Sequence, residues 1–196
     1  MTSFTDANLL YQATRDGFSA KAFHQKCDNY HNTLTIIKSN GNYVFGGFAS
    51  VLWNEKSYGW IDDSAAFIFS LRRKGVFNGK KFVINKNTWR EPYDVWDNAE
   101  SGPAFGDADI YICDNSNIDA CSSSWFCLTF LCPDEYTGSA DSYLAGSHTG
   151  WLTTEIEVFQ LSNSVYTSSA SSVTTKVMTN NFNTFPTYQT TIESKF

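Results

Sequence analysis

The chain has 196 residues and a net charge of −6, with 16% aromatic and only 17% charged residues. That length fits one domain with room for an appendage, and 16 Phe, 10 Tyr and 6 Trp supply material for a packed core. The acidic balance argues against a nucleic-acid binder, which needs a basic face to displace counterions, and no apolar run nears the roughly twenty residues of a membrane helix.

The N-terminus, Met1-Thr-Ser-Phe-Thr-Asp6, lacks the basic-then-apolar order of a signal peptide. Five cysteines, an odd number, differ from a secreted disulfide framework and read as reduced thiols of an intracellular, cytoplasmic protein.

The first thirty residues read as helical. Leu9, Leu10 and Ala13 form a short apolar stripe that stops before Gly17. A second helix starts at Ser19 as N-cap, with Phe18 before it and Phe23 at the fourth helical position, as in a hydrophobic staple. From residue 33 the period changes to that of strands. Thr33–Lys38 and Tyr43–Ala49, joined through Asn40-Gly41, predict a hairpin closed by a tight type I′ turn. Further strands are predicted at Ala66–Leu71, Lys81–Ile84, Asp109–Cys113 and Glu155–Leu161. In the last, Ile156 and Val158 alternate with Glu155 and Glu157, predicting one apolar and one solvated face. Arg72-Arg73-Lys74 and Lys80-Lys81 read as a solvated turn. Several strands separated by turns and long loops predict a mainly β (α+β) fold, two antiparallel sheets packed as a β-sandwich with short helices at the N-terminus and edges. After Leu161 the composition turns to Ser, Thr and Asn, so residues 1–161 read as the domain and 162–196 as a mobile tail.

Six segments, in order, carry a family resemblance: Leu9-Leu-Tyr-Gln-Ala-Thr-Arg-Asp-Gly-Phe18, Leu34–Lys38, Val44-Phe-Gly-Gly-Phe48, Phe67–Leu71, Phe105-Gly-Asp-Ala-Asp-Ile110 and Glu155–Phe159. As a set they resemble the TLDc domain, the module of oxidation-resistance proteins and their nuclear receptor coactivator-like relatives. The resemblance covers residues 9–161. It implies a β-sandwich, a non-enzymatic protein-binding role in protection from oxidative stress, no cofactor, and, for some members, the peripheral part of the vacuolar-type ATPase (V-ATPase) as partner. Two features depart from it. Gly106-Asp-Ala-Asp109 stands where relatives more often show a glycine run, and the insert from Asn115 to Thr137 is less familiar.

The candidate binding residues are Asp16 and Gly17, Gly46 and Gly47, and Gly106, Asp107 and Asp109, read as a rim of glycine-rich strands and turns. Each has a plainer reading as a turn or a close backbone approach. Asp107, Asp109, Asp114 and Asp119 could supply oxygens to calcium, but their spacing misses a D-x-[DN]-x-[DN]-G loop and solvated strand ends explain them better. Cys113, Cys121, Cys127 and Cys132 lack the paired spacing of a zinc site and the C-x-x-C of a redox dithiol, leaving buried thiols as the simpler account. Ser147-His148 lies outside any G-x-S-x-G elbow, so no catalytic or metal-ligating residues are assigned. Trp53, Trp60, Trp89 and Trp96 read as lids over the core, or else as a carbohydrate-binding surface. The rival function is therefore a β-sandwich that binds sugar or calcium; a thiol-dependent peroxide-reducing enzyme ranks third.

Overall fold

A computed structural model describes residues 4–54, 58–86, 93–133 and 142–163. Its elements are β1 (Asp6–Gln12), α1 (Ala13–Asp16), α2 (Ala20–Cys27), β2 (Thr33–Ser39), β3 (Val44–Ala49), β4 (Tyr58–Ile61), β5 (Phe67–Arg73) and β6 (Val76–Val83), followed by β7 (Val95–Asn98), β8 (Ser101–Phe105), β9 (Ile110–Cys113), β10 (Ser122–Ser123), β11 (Thr149–Trp151) and β12 (Thr153–Ser162). They form two six-stranded antiparallel sheets, in the order β1-β12-β2-β3-β5-β6 and β11-β10-β9-β8-β7-β4. The mainly β sandwich predicted from the strand pattern is what forms.

The main core lies between the sheets. Ile37, Phe45, Ile68 and Val158 from the first sheet meet Val95, Phe105, Ile110 and Ile112 from the second. Each such side chain, taken fully from water, contributes about 1.5–3 kcal/mol before entropy is counted. Gly47 lets the layers close: a Cβ there would come within 2.7 Å of the Phe105 ring.

Helix α2 begins where its residues say. The Ser19 hydroxyl accepts from the Ala22 N–H at 3.1 Å, and Phe23 is buried with Phe18 packed against the same core. The helix closes one side of the sandwich, setting Phe23 against Trp53 at 5.3 Å between ring centroids. Trp53 is buried there, as a lid should be.

Several expectations need correction. Residues 6–12 are a strand, because pairing with β12 satisfies their backbone groups and only Tyr11 of the strand is buried. A bulge between Leu9 and Tyr11 breaks the alternation that would have announced it. The β2–β3 turn is not type I′. Positive φ falls at Asn42 (62°) rather than at the Asn40-Gly41 pair, giving a three-residue loop. Asn40 instead exchanges bonds with Leu152. The tight turn with two positive φ values is Lys74 (51°) and Gly75 (81°), between β5 and β6.

The cysteines are not all reduced thiols. Cys113 is bonded to Cys121 and Cys127 to Cys132, leaving Cys27 free and buried. Both bridges span fewer than ten residues and fall in loops whose shape no local pattern reveals. Finally, Glu155 and Glu157 do not face solvent; both are buried. β12 lies between β1 and β2, and α1 sits over its Glu155 end, so the polar side of the strand is covered.

No helix among the described residues is long and apolar enough to cross a membrane. The reading of 162–196 as a tail lies, beyond Asn163, outside the described residues; Ser162 itself belongs to β12. Trp89 is also outside them.

Candidate interaction site

The turn between α1 and α2 is built from a chain of local bonds. The Gly17 N–H donates to Ala13 O at 2.9 Å, and the Tyr11 hydroxyl donates to Gly17 O at 2.7 Å. Gly17 has φ of 101° and ψ of 155°, a conformation that glycine alone adopts without strain. Asp16 accepts the Gln12 N–H at 3.0 Å and is gripped from outside by Arg15, whose Nε and Nη2 donate at 3.0 and 2.7 Å. Lys26 Nζ lies 3.6 Å from the same carboxylate. The hydrogen bond from Arg15 is the main reason that Asp16 titrates at about 2, well below the usual carboxylate range.

Beneath this turn the polar groups are buried, and most of them are paired. Glu155 accepts from the Thr14 N–H and hydroxyl and from Gln12 Nε2, tying α1 to β12. His24 places Nδ1 2.8 Å from Asp28 Oδ1 and Nε2 2.9 Å from Asn98 O, joining α2 to the end of β7. Asp97 accepts the Asn54 N–H at 2.6 Å through one oxygen, while its Oδ1 has no partner among the described residues. Burial pushes Asp97 up to about 6. Burial likewise raises Tyr11 and the Cys27 thiol, with nearby charges adding a smaller effect. A thiol raised in this way is a poor nucleophile.

The β8–β9 turn is organised around Asp109. Its carboxylate accepts backbone N–H groups from Cys127, Leu128, Thr129 and Phe130, at 2.8 to 3.4 Å. Burial pushes Asp109 up to about 6, against the opposing pull of those four donors. Gly106 (φ 67°) presses its backbone against this carboxylate, where a Cβ would collide. The Asp107 N–H donates to Thr129 Oγ1 at 2.9 Å.

The seven candidate binding residues therefore do not form one rim. Gly46 and Gly47 are buried in the middle of β3, and Gly106 and Asp109 are buried inside their turn. Asp16, Gly17 and Asp107 keep exposure. Asp109 is not a solvated strand end, because its four donors come from a loop some twenty residues away in sequence. Asp114 is likewise engaged, accepting the Ala20 N–H at 2.7 Å at the start of α2. Among the described residues, no group of three or more His, Cys, Asp or Glu side chains has the arrangement of a metal site.

Sequence reasoning missed the second aromatic cluster's shape. Trp60 and Trp96 face each other across β4 and β7 at 4.7 Å, and Tyr93 lies 4.7 Å from Trp60, which is about a third exposed. It also missed the buried roles of Glu155, Asp97 and Asp109. A carboxylate that organises distant backbone carries no local signature.

A family model for the TLDc domain matches residues 2–162. The chain belongs to the TLDc domain family. The match runs through the whole described sandwich, from β1 to the end of β12. No curated protein matches the chain at a significant level. Within this TLDc domain, backbone conformation calls for glycine at Gly17, and close approach leaves no space for a Cβ at Gly46 or Gly47.

Proposed function

We propose that this TLDc domain is a non-catalytic protein-interaction module whose contact surface centres on the α1–α2 turn. The observation that carries this reading is the Arg15–Asp16–Lys26 cluster. It presents two half-exposed cations around a turn that Tyr11 and Gly17 hold rigid. A charged turn held by its own hydrogen bonds gains affinity by orienting a partner without paying to order itself. The groups with chemical potential point the same way. The free thiol is buried, Glu155 and Asp109 are spent on backbone and hydroxyl donors, and Ser147 bonds to Thr149 O beside the exposed His148.

The family resemblance supplies the partner: peripheral subunits of the vacuolar-type ATPase, with a role in oxidative-stress protection. Pull-down of purified peripheral subunits by this domain tests the reading. Wild type should retain them, and the pair Arg15→Glu with Lys26→Glu should not. Retention of none by wild type overturns the partner, and equal retention by both overturns the surface.

A second reading rests on Trp60, Tyr93 and Trp96, whose clustered rings at a sheet edge suit stacking on a sugar face. Binding on a glycan array that Trp60→Ala abolishes would favour it.

A further inference from the structure

Positive charge in this acidic chain is gathered on one hairpin. Residues 64–86 hold Arg72, Arg73, Lys74, Lys80, Lys81 and Lys86 and no Asp or Glu, which leaves 8 cations against 20 acidic residues in all the rest. All but Lys86 lie on β5, on β6 or in the Lys74-Gly75 turn between them. β6 is at the other edge of the first sheet from β1, the strand that leads into the α1–α2 turn. The hairpin is held in place. The Gly75 N–H donates to Asn42 O at 2.8 Å, tying the turn to the β2–β3 loop. The Arg73 guanidinium lies over the Tyr143 ring at 4.2 Å and the Lys81 ammonium over the Phe67 ring at 3.8 Å, which fixes where these two charges stand. Directly after the turn, Val76 and Phe77 are 71% and 43% exposed, and the register sets them opposite Arg73 and Arg72. Apolar side chains scattered singly over a surface need no explanation, whereas two in succession, each opposite an arginine, form a patch.

We propose that the tip of the β5–β6 hairpin docks on the surface of a bilayer that contains anionic phospholipids. Such a surface sets negative headgroups just outside acyl chains, and the hairpin sets cations around a small apolar tip. Stable attachment takes both signals, since either alone binds weakly. The choice of a bilayer over an acidic protein rests on the two sides of β6. Successive residues of a strand point to opposite sides. Val76 therefore lies on the side of Arg73 and Tyr143, and Phe77 on the side of Lys81 and Phe67. Each side of the tip carries one exposed apolar residue and one cation held over a ring. A rigid protein surface reaches one side of such a tip, whereas a fluid interface closes around both.

Flotation of the full chain with lipid vesicles tests the proposal. Wild type should float with vesicles of phosphatidylcholine and phosphatidylserine but not with phosphatidylcholine alone, and added salt should release it. Each cation near an anionic surface is worth about a factor of five in binding, so Lys74→Gln with Lys81→Gln should weaken binding about 25-fold. Near-ultraviolet circular dichroism of this double variant should match wild type, and undiminished binding by it would overturn the proposal. Phe77→Trp keeps every cation and reports on the tip itself. Its added emission should shift to the blue on the phosphatidylserine vesicles and be quenched by brominated acyl chains. An emission that stays unchanged while the protein floats would mean that another surface docks, and would overturn the proposal. Wild type that ignores the vesicles overturns it as well, and capture on polyglutamate in their place would assign the hairpin to an acidic protein segment instead.

Discussion

Gly47 on β3 stands directly against the ring of Phe105 on β8, so that a Cβ on the glycine would lie 2.7 to 2.8 Å from three ring carbons. Phe105 is wholly buried and touches Trp53 edge-on at 5.9 Å, so it has nowhere to retreat. Gly47→Ala should therefore force the sheets apart and destabilise the domain by about 1–3 kcal/mol, the usual range for overpacking. Urea denaturation reads this directly, and an unchanged midpoint would show that the layers have slack.

Gly17 makes a different kind of demand, set by backbone conformation rather than by space. With φ at 101° and only Ala22 Cβ near at 3.8 Å, a side chain fits but the backbone does not tolerate it. Gly17→Val should cost roughly 1–3 kcal/mol through strain at this φ and ψ. The loss should appear in thermal unfolding; a melting temperature equal to wild type would refute the assigned conformation.

Removing the Asp109 carboxylate should loosen the loop it organises. Asp109→Ala leaves four backbone N–H groups without their acceptor, and each buried unpaired donor costs about 1–3 kcal/mol. Amide hydrogen exchange at residues 127–130 should accelerate more than exchange in β2 or β12. Uniform acceleration across the sandwich would mean global destabilisation instead.

Stability should depend on pH with opposite signs on its two sides. Asp97 and Asp109 are raised to about 6 by burial, above the unfolded value of about 3.9. The folded protein thus holds protons that the unfolded chain releases between about pH 4 and 6, and stability falls as pH rises through that window. Asp16 is lowered to about 2, so its contribution is present above about pH 4 and fades as pH falls toward 2. Asp97→Asn, whose amide oxygen can still accept the Asn54 N–H, should flatten part of the fall between pH 4 and 6. Denaturant midpoints at pH 5 and 7.5 measure it, and an identical slope in the variant would remove Asp97 from the account.

Thiol counting checks the disulfides. The native protein should present no reactive thiol, the unfolded unreduced chain one, and the reduced unfolded chain five, since only Cys27 is unpaired. Each short bridge should contribute about 2–3 kcal/mol at most in the chain-entropy account. Five thiols reacting before reduction would eliminate both bridges.

Local pattern exposed much of this fold, because alternation and capping are properties of neighbours. The Ser19 cap, the Phe18–Phe23 staple and the strands through Ile36, Ile68 and Ile156 all follow from residues a few positions apart. The candidate site was less legible. Asp16 and Gly17 read as a turn and stand in one, but burial removes Gly46, Gly47, Gly106 and Asp109 from the predicted rim. Glycine beside an aromatic residue looks the same in sequence at an exposed edge and at a close contact between sheets.

The sequence by itself determined the class of fold, the membership in the TLDc family and the two helix-end signals, since periodicity, capping and motif order act over short spans. Only the tertiary structure decided that residues 6–12 pair as a strand, that Glu155 and Asp109 are buried on distant donors, and that four cysteines join in pairs. The physical reason is common to all three. Backbone groups, carboxylates and thiols take their partners from wherever folding brings them, and here those partners come from other strands and loops.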